Sequence, residues 1–311
     1  MCYSAQIWQE YQKYVRAFGA TLDVQAFAHL FWSRIEDDKI KIPKAMEAAF
    51  ADPKDSPDAR IPAFITDYRT QTAYKLEHEL FAQRTRQNGA ERALQQKNTK
   101  TARESARIAA AKVERLKLRI TDLHRTTLAD RDARIFPGYF ALVMVMESGQ
   151  RVLRPMRYQC RPTGMPADSD KKFPGTYNAR RDNLRGFWRG QFGHTHGVVV
   201  MNAFYEYVSR TGPDGPEKVI LEFRPQPQQD LLAACLWSHW SGHGAPDLDS
   251  FAIITDDPPR EIAAAGHDRC LIPIKPEHID AWLTPDPHNL AKFQAILDDR
   301  HRPHYEHRMA A

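Results

Sequence analysis

Pro137-Gly138-Tyr139-Phe140-Ala141-Leu142-Val143-Met144-Val145-Met146, followed by Glu147-Ser148-Gly149-Gln150 and Arg151-Val152-Leu153, decides the fold of this 311-residue chain. A Pro-Gly pair opens an apolar run of strand length, four turn-forming residues follow, and a return strand comes after them. This pattern predicts a β-hairpin. Apolar runs recur at 198–201, 219–223 and 251–255, separated in part by turn-rich text such as Thr211-Gly212-Pro213-Asp214-Gly215-Pro216. Residues 231–237 read as strand or helix. Many short strands with few helices predict an α+β domain built on a folded antiparallel sheet. After Leu283 the spacing predicts one short helix, near 288–299, and then a His/Arg-rich end.

Upstream of the hairpin the text is different. Trp8, Tyr11, Tyr14 and Phe18, then Phe27, Leu30, Phe31 and Trp32, fall at helix-like spacing and predict helices packed on a core. Pro53, Pro57 and Pro62 mark a loop. From Tyr68 to Asp130 there is no Pro, a single Gly, and much Ala, Arg, Lys, Glu and Gln. Ala109, Val113, Leu116, Ile120 and Leu123 alternate steps of four and three, a coiled-coil seam, and Ala73, Leu76 and Leu80 begin a similar one. The segment reads as one long helix or as an antiparallel hairpin projecting from the main body. A hairpin would turn at Asn88-Gly89 or at Asn98-Thr99. So charged a helical pair serves as a solvated spacer or partner-binding arm, or as a clamp on DNA.

Composition sets the bounds. Hydrophobic residues make up 42% and charged residues 27%, as in a globular protein, and a net charge of only +5 does not by itself imply nucleic acid. No run approaches the ~20 apolar residues of a membrane-spanning helix. The first residues lack the basic and apolar regions of a secretory signal, so a cytoplasmic protein is expected. Cys2, Cys160, Cys235 and Cys270 are scattered with no C-x-x-C pair, which predicts free thiols and no structural zinc. No cofactor motif is present.

Four places could carry chemistry. Cys2 becomes the N-terminus once the initiator Met is removed, and it then holds an α-amine and a thiol on adjacent carbons. The amine titrates near ~7.7–8.0, so part of it is nucleophilic at neutral pH. Such an aminothiol condenses with an aldehyde to an imine, and the thiol then closes a thiazolidine. Asn178-Ala179-Arg180-Arg181-Asp182 lies in a basic stretch, with ten Arg or Lys against three Asp between Arg151 and Arg189. Tyr158, Phe173, Tyr177, Phe187 and Trp188 are interleaved there, a mixture suited to single-stranded nucleic acid. Glu206, set among aromatics in Asn202-Ala203-Phe204-Tyr205-Glu206-Tyr207, is a candidate general acid or base, or else a surface carboxylate. His267-Asp268-Arg269 offers a proton-shuttling His and an Arg for a phosphate, or else a structural His. His194 with His196, and His239 with His243, lack the Glu or Cys that would complete a metal set.

Taken in order, Cys2, Asn178-Ala179-Arg180, Phe204-Tyr205-Glu206 and His267-Asp268-Arg269 resemble the SOS-response-associated peptidase family. That family's pattern runs Met-Cys-Gly-Arg, Asn-Ala-Arg-x-Glu, Gly-Phe-Tyr-Glu-Trp and His-x-Arg-Met-Pro. Pro155-Met156-Arg157-Tyr158, Leu236-Trp237 and Phe251-Ala252-Ile253-Ile254-Thr255 add to the likeness. It covers roughly residues 135–283 and the first few residues.

The resemblance implies a partly barrel-like β core and a protein that acts in the DNA damage response. It binds abasic sites in single-stranded DNA and forms a thiazolidine crosslink through Cys2. By the same resemblance Glu206 is the acid/base, His267 stabilises the intermediate or moves a proton, and Asn178 positions the N-terminus. Arg180 and Arg269 contact phosphates, Arg157, Tyr158 and Arg189 are further DNA contacts, and Thr255 lines the pocket. Strand cleavage beside the abasic site and a self-processing step that exposes Cys2 are also implied, although only Met1 precedes Cys2 here. Residues 1–22 would carry the catalytic Cys, 23–134 would be a helical insertion, and 135–311 the core with a helical tail.

The chain departs from the family in several places. Tyr3-Ser4 replaces the family's Gly-Arg, so an arginine near the site is missing. Asp182 stands for Glu, Ala203 and Tyr207 flank the Phe-Tyr-Glu, and Cys270 replaces Met. Two other readings stay open: an N-terminal-nucleophile Cys amidohydrolase or peptidase, and a non-enzymatic single-strand-binding protein whose helical arm recruits a protein partner.

Overall fold

The computed structural model describes residues 3–212 and 215–310. The chain begins with β1 (Ser4–Ile7), α1 (Tyr11–Phe18), β2 (Thr21–Leu22), α2 (Val24–Glu36) and α3 (Lys44–Ala51). It continues into two long helices, α4 (Arg60–Gln96) and α5 (Lys100–His124). Next come β3 (Arg134–Ile135), β4 (Phe140–Glu147), β5 (Gln150–Tyr158), the single turn α6 (Ser169–Lys172) and β6 (Asn178–Arg180). Four long strands follow: β7 (His196–Gly212), β8 (Gly215–Gln226), β9 (Leu231–Trp240) and β10 (Leu248–Asp256). Last are α7 (Arg260–Ala264), β11 (Cys270–Leu271), β12 (Pro273–Ile274), α8 (Ile279–Leu283), α9 (Leu290–Asp298) and β13 (His304–Met309).

The fold is α+β, with a mostly antiparallel sheet. β4 pairs with β5, β5 with β10, β10 with β9, β9 with β7, and β7 returns to β4, so five strands close into a ring. The β5–β10 contact is parallel. The deciding run explains the ring. Alternate residues of a strand face opposite sides. Ala141, Val143 and Val145 join Val199, Met201, Ala233, Cys235, Phe251 and Ile253 from the other ring strands. Leu142 and Met144 instead pack with Phe27, Phe31, Phe50, Trp282 and Phe293 from the surrounding helices. Both faces are buried, so the run shows no polar alternation. The hairpin turn has positive φ at Ser148 (49°) and Gly149 (77°), with Glu147 opposite Gln150. That is the two-residue turn whose twist matches the flanking strands, and Gly149 adopts it without steric cost.

The Tyr68–Asp130 segment is two helices, and the chain reverses between them at 97–99. Thr99 caps α5 by accepting from the Ala102 N–H at 3.2 Å. Asn88-Gly89, the other candidate turn, lies inside α4. The helix also starts earlier than its composition suggests, at Arg60. Pro62 sits in its first turn, where an N–H would have no partner anyway. Leu76 and Ala90 of α4, and Ala102, Ala109, Val113 and Leu116 of α5, are the buried apolar positions between the two. The His/Arg-rich end forms β13, paired along β8, with Tyr305 as its buried residue. In the turn-rich segment before β8, Gly212 pairs with Gly215, and Pro213 and Asp214 lie outside the described residues.

His196, once a metal candidate, is a core residue. Its ring stacks on Trp282 at 4.1 Å, Nε2 accepts from the Gly193 N–H at 2.8 Å, and Nδ1 donates to the Trp282 carbonyl at 3.0 Å. Burial pulls its pKa down to about 3. A neutral buried His is protonated more readily in the unfolded chain, so its stabilisation is complete above the unfolded pKa of ~6.5 and drains away as pH falls toward 3. Relative to His196→Asn, the wild-type unfolding free energy should drop by about 2 kcal/mol between pH 6.5 and 5, at ~1.4 kcal/mol per unit. Urea unfolding at the two pH values checks this. Parallel pH dependence in the two proteins would contradict it.

Candidate functional site

β7 positions the central carboxylate. Its first half belongs to the ring, and beyond Met201 it runs between β1 and β8, with Ser4 opposite Tyr205 and Glu206 opposite Leu221. Glu206 is 2% exposed. Its Oε2 lies 3.2 Å from His267 Nε2 and accepts from the backbone N–H of Tyr3 at 3.4 Å. That amide belongs to the peptide joining Tyr3 to residue 2. Cys2 itself lies outside the described residues.

His267 follows α7 through Gly266, whose φ of 96° suits glycine and ends the helix. Its Nδ1 lies 2.9 Å from the Arg269 carbonyl and 3.2 Å from the Arg269 N–H. If Nδ1 donates to the carbonyl, Nε2 either accepts a proton from a neutral Glu206 or is itself protonated. If Nδ1 accepts from the N–H, Nε2–H donates to the carboxylate. In each tautomer one proton lies between His267 and Glu206. Burial raises the Glu206 pKa, and the hydrogen bond from His267 works against that rise. The pair is therefore a protein-enclosed proton store beside the start of the chain.

β6 and β11 bring in the other candidates from opposite sides of β10. Asn178 pairs with Ile253, Arg180 with Thr255, and Thr255 with Leu271. Asn178 is buried. Thr255 is buried too, and among the described residues its hydroxyl has no hydrogen-bond partner. Arg180 is half exposed and bonded to Asp182 at 2.6 Å. Arg269 is mostly covered, with its guanidinium 3.8 Å from Asp257. Arg189 is exposed in the loop after β6 and lines a cavity of about 390 Å³ with Arg185, Phe192 and His288.

Two expected DNA contacts are placed otherwise. Tyr158 is fully buried between Phe251 and Tyr177, with no ring face for a nucleotide. Arg157 turns to Asp170 at 2.8 Å, a carboxylate it shares with Arg161.

The arrangement also contains residues that the sequence did not single out. Arg134 Nε donates to the buried Ser4 hydroxyl at 3.0 Å, and its guanidinium stacks 3.6 Å above the Tyr205 ring. A guanidinium thus stands beside position 4, where the family's own arginine is missing, and it comes from 130 residues away. Tyr3 packs edge-on against Tyr207 and Phe136, at 4.7 and 5.8 Å. A lone Arg in a two-residue strand leaves no trace in periodicity.

The sequence profile of the SOS response associated peptidase (SRAP) family matches residues 91–309, more than half of the chain. No curated protein matches. Among solved structures, a protein from Bordetella bronchiseptica is 18% identical, with a TM-score of 0.46 over 58% of this chain and 87% of its own. One from Bacteroides thetaiotaomicron is 13% identical, with a TM-score of 0.45 over 57% and 77%. A phage-related protein from Bordetella bronchiseptica is 23% identical, with a TM-score of 0.41 over 57% and 80%. No described helix is long and apolar enough to cross a membrane. By the extent of the profile match, the chain belongs to the SOS response associated peptidase family, and its function is one associated with DNA damage.

Proposed function

We propose that this protein captures abasic sites in single-stranded DNA covalently through Cys2. The observation that supports this most is the buried Glu206–His267 pair receiving the amide that leads to residue 2. The other cysteines favour the same choice. Cys160, Cys235 and Cys270 are buried, and desolvation raises all three thiol pKa values, that of Cys160 to about 12. None of those three is a thiolate near neutral pH.

In the proposed reaction Glu206 protonates the ring oxygen of the abasic deoxyribose, the C1′–O4′ bond breaks, and the anomeric hydroxyl gives its proton to water, which frees the aldehyde. The Cys2 amine attacks that carbon, water leaves, and an imine results. The thiol then adds across the C=N bond, its proton passing to nitrogen, and a thiazolidine closes. His267 exchanges the proton held with Glu206. Asn178 positions the N-terminal segment, and the Thr255 hydroxyl is available to the sugar. Arg180, Arg269 and Arg189 meet phosphates, the first two after giving up Asp182 and Asp257. Loss of a proton from C2′ of the imine, with departure of the 3′ phosphate, would give lyase activity on the same route.

The test uses protein whose Met1 removal is confirmed by mass, incubated with a single strand carrying one abasic site and run on a denaturing gel. Wild type should give a heat-stable shifted band, and Cys2→Ala should give none while still binding the strand. No band with Cys2 intact would reject the proposal and favour an amide substrate for the same nucleophile.

A further inference from the structure

The net charge of +5 is distributed very unevenly. Residues 60–124, the α4–α5 hairpin, carry fourteen Arg or Lys against seven Asp or Glu, so acidic residues outnumber basic ones in the rest of the chain. Within the hairpin the excess gathers toward the turn, where residues 84–112 hold eight basic and two acidic side chains. Arg84, Arg92, Lys97, Lys100 and Arg103 are exposed there, and no carboxylate pairs with any of them among the described residues. The acidic groups are engaged locally instead, Glu91 with Gln87 and Glu104 with Arg107.

An unneutralised basic patch near the end of two long helices is a surface for a polyanion. At 1.5 Å per residue, α4 from Arg84 to its end spans about 20 Å, long enough to follow several phosphates of a strand. Of the apolar residues of this part, Ala90, Ala102 and Ala109 are buried, Leu94 and Ile108 are half-buried, and the exposed ones are the small Ala93 and Ala111. The exposed Tyr74, Phe81 and Leu118 lie nearer the base or at its edge. Between residues 84 and 112 no large apolar side chain is exposed, and Phe81 at the edge is too little to enter a lipid surface, which favours nucleic acid over a membrane.

We infer that the turn end of the α4–α5 hairpin is a second DNA-binding surface. It holds the sugar-phosphate backbone through Arg84, Arg92, Lys97, Lys100 and Arg103 while the Glu206 site acts on the same molecule. The inference rests on the reading of that site as one that acts on DNA, but its charge argument is independent of the crosslinking chemistry. The core carries no net positive charge of its own, and the arm supplies the long-range attraction.

The experiment compares the full chain with a variant carrying Arg92→Gln, Lys97→Gln, Lys100→Gln and Arg103→Gln. Glutamine keeps helix propensity, and circular dichroism verifies folding. A second variant exchanges the same four residues Arg for Lys and Lys for Arg, and so keeps the charge. Fluorescence anisotropy against intact single strands and duplexes, from low to high salt, gives affinity and salt slope. The Gln variant should bind at least tenfold more weakly, and its slope of log K against log salt should be shallower by about 2 to 3 for single strands. The charge-keeping variant should match wild type, and the crosslinking rate at saturating DNA should be unchanged. The two DNA forms distinguish which one the arm holds. Unaltered DNA affinity and slope in the Gln variant would overturn the inference, as would loss of binding to anionic vesicles alone. Arm-dependent DNA binding without any crosslink would leave it standing and reject the covalent proposal.

Discussion

Glu206→Gln should slow thiazolidine formation at neutral pH by roughly 10²- to 10⁴-fold, the range of a positioned general acid or base. Glutamine preserves the volume of the side chain and an oxygen to accept the Tyr3 N–H, so the site should remain packed. What it removes is the proton held between Oε2 and His267 Nε2. The pH profile separates this role from a structural one. A raised Glu206 pKa keeps the carboxylic acid present above the usual carboxylate range, and the acid form is lost as pH rises through that pKa. The Cys2 amine works in the opposite sense, since it attacks only when neutral and gains activity up to about pH 8. Wild type should show a bell-shaped profile, and Glu206→Gln only the rising limb. A variant as fast as wild type, or one that keeps the falling limb, would remove Glu206 from the chemistry. His267→Gln should shift the falling limb without abolishing it, because His267 opposes the rise in the Glu206 pKa.

Elements whose residues are neighbours in sequence were legible in the sequence. The β4–β5 hairpin, strands at 198–201, 219–223 and 251–255, and the helix near 288–299 all follow from local patterns, and the structure contains each of them. The α4–α5 seam was visible as a repeat, while its turn was ambiguous because Asn88-Gly89 and Asn98-Thr99 both carry turn chemistry. The choice falls to the Thr99 cap and to the packing of Leu76 and Ala90 against α5. Long-range pairing left no local mark. β1 is four residues, Ser-Ala-Gln-Ile, all buried between β7 and β3, and its polar–apolar alternation is too short to mark a strand. β6 is three residues and exists because β10 offers it an edge. At the site, the meeting of Glu206 with His267 could be expected from a family pattern but from no spacing rule. The Arg134–Ser4 contact could not be expected from either. Tyr158 shows the converse, where aromatic and basic residues interleaved in sequence separate in space. Its ring enters the core because the side chains of a strand alternate in direction.

Glu47→Ala should destabilise the protein by about 3–5 kcal/mol, the expected penalty for leaving a buried charge without its partner. Arg34 of α2 is 2% exposed, and its Nη1 donates to Glu47 Oε2 of α3 at 2.7 Å. The other Glu47 oxygen accepts from Arg69 Nε of α4. The Arg34 guanidinium also lies 3.9 Å above the ring of Tyr68 on α4, and its Nε and Nη2 have no hydrogen-bond partner among the described residues. One carboxylate thus compensates a cation that cannot reach water, at the point where α2, α3 and the base of the hairpin meet. Arginine stays charged at any accessible pH, so removing Glu47 leaves it no way to become neutral. Glu47→Gln should lose nearly as much as Glu47→Ala, because shape is kept and charge is not. Arg34→Met combined with Glu47→Leu should recover most of the loss, since apolar groups of similar volume need no partner. Urea unfolding of the four proteins measures the energies, and hydrogen exchange over residues 60–75 reports whether the base of α4 loosens before the sheet does. A loss below about 1 kcal/mol for Glu47→Ala would show that water reaches Arg34, as for a surface pair. A full loss with early exchange at 60–75 would make this buried pair the anchor that holds the basic arm on the sheet core.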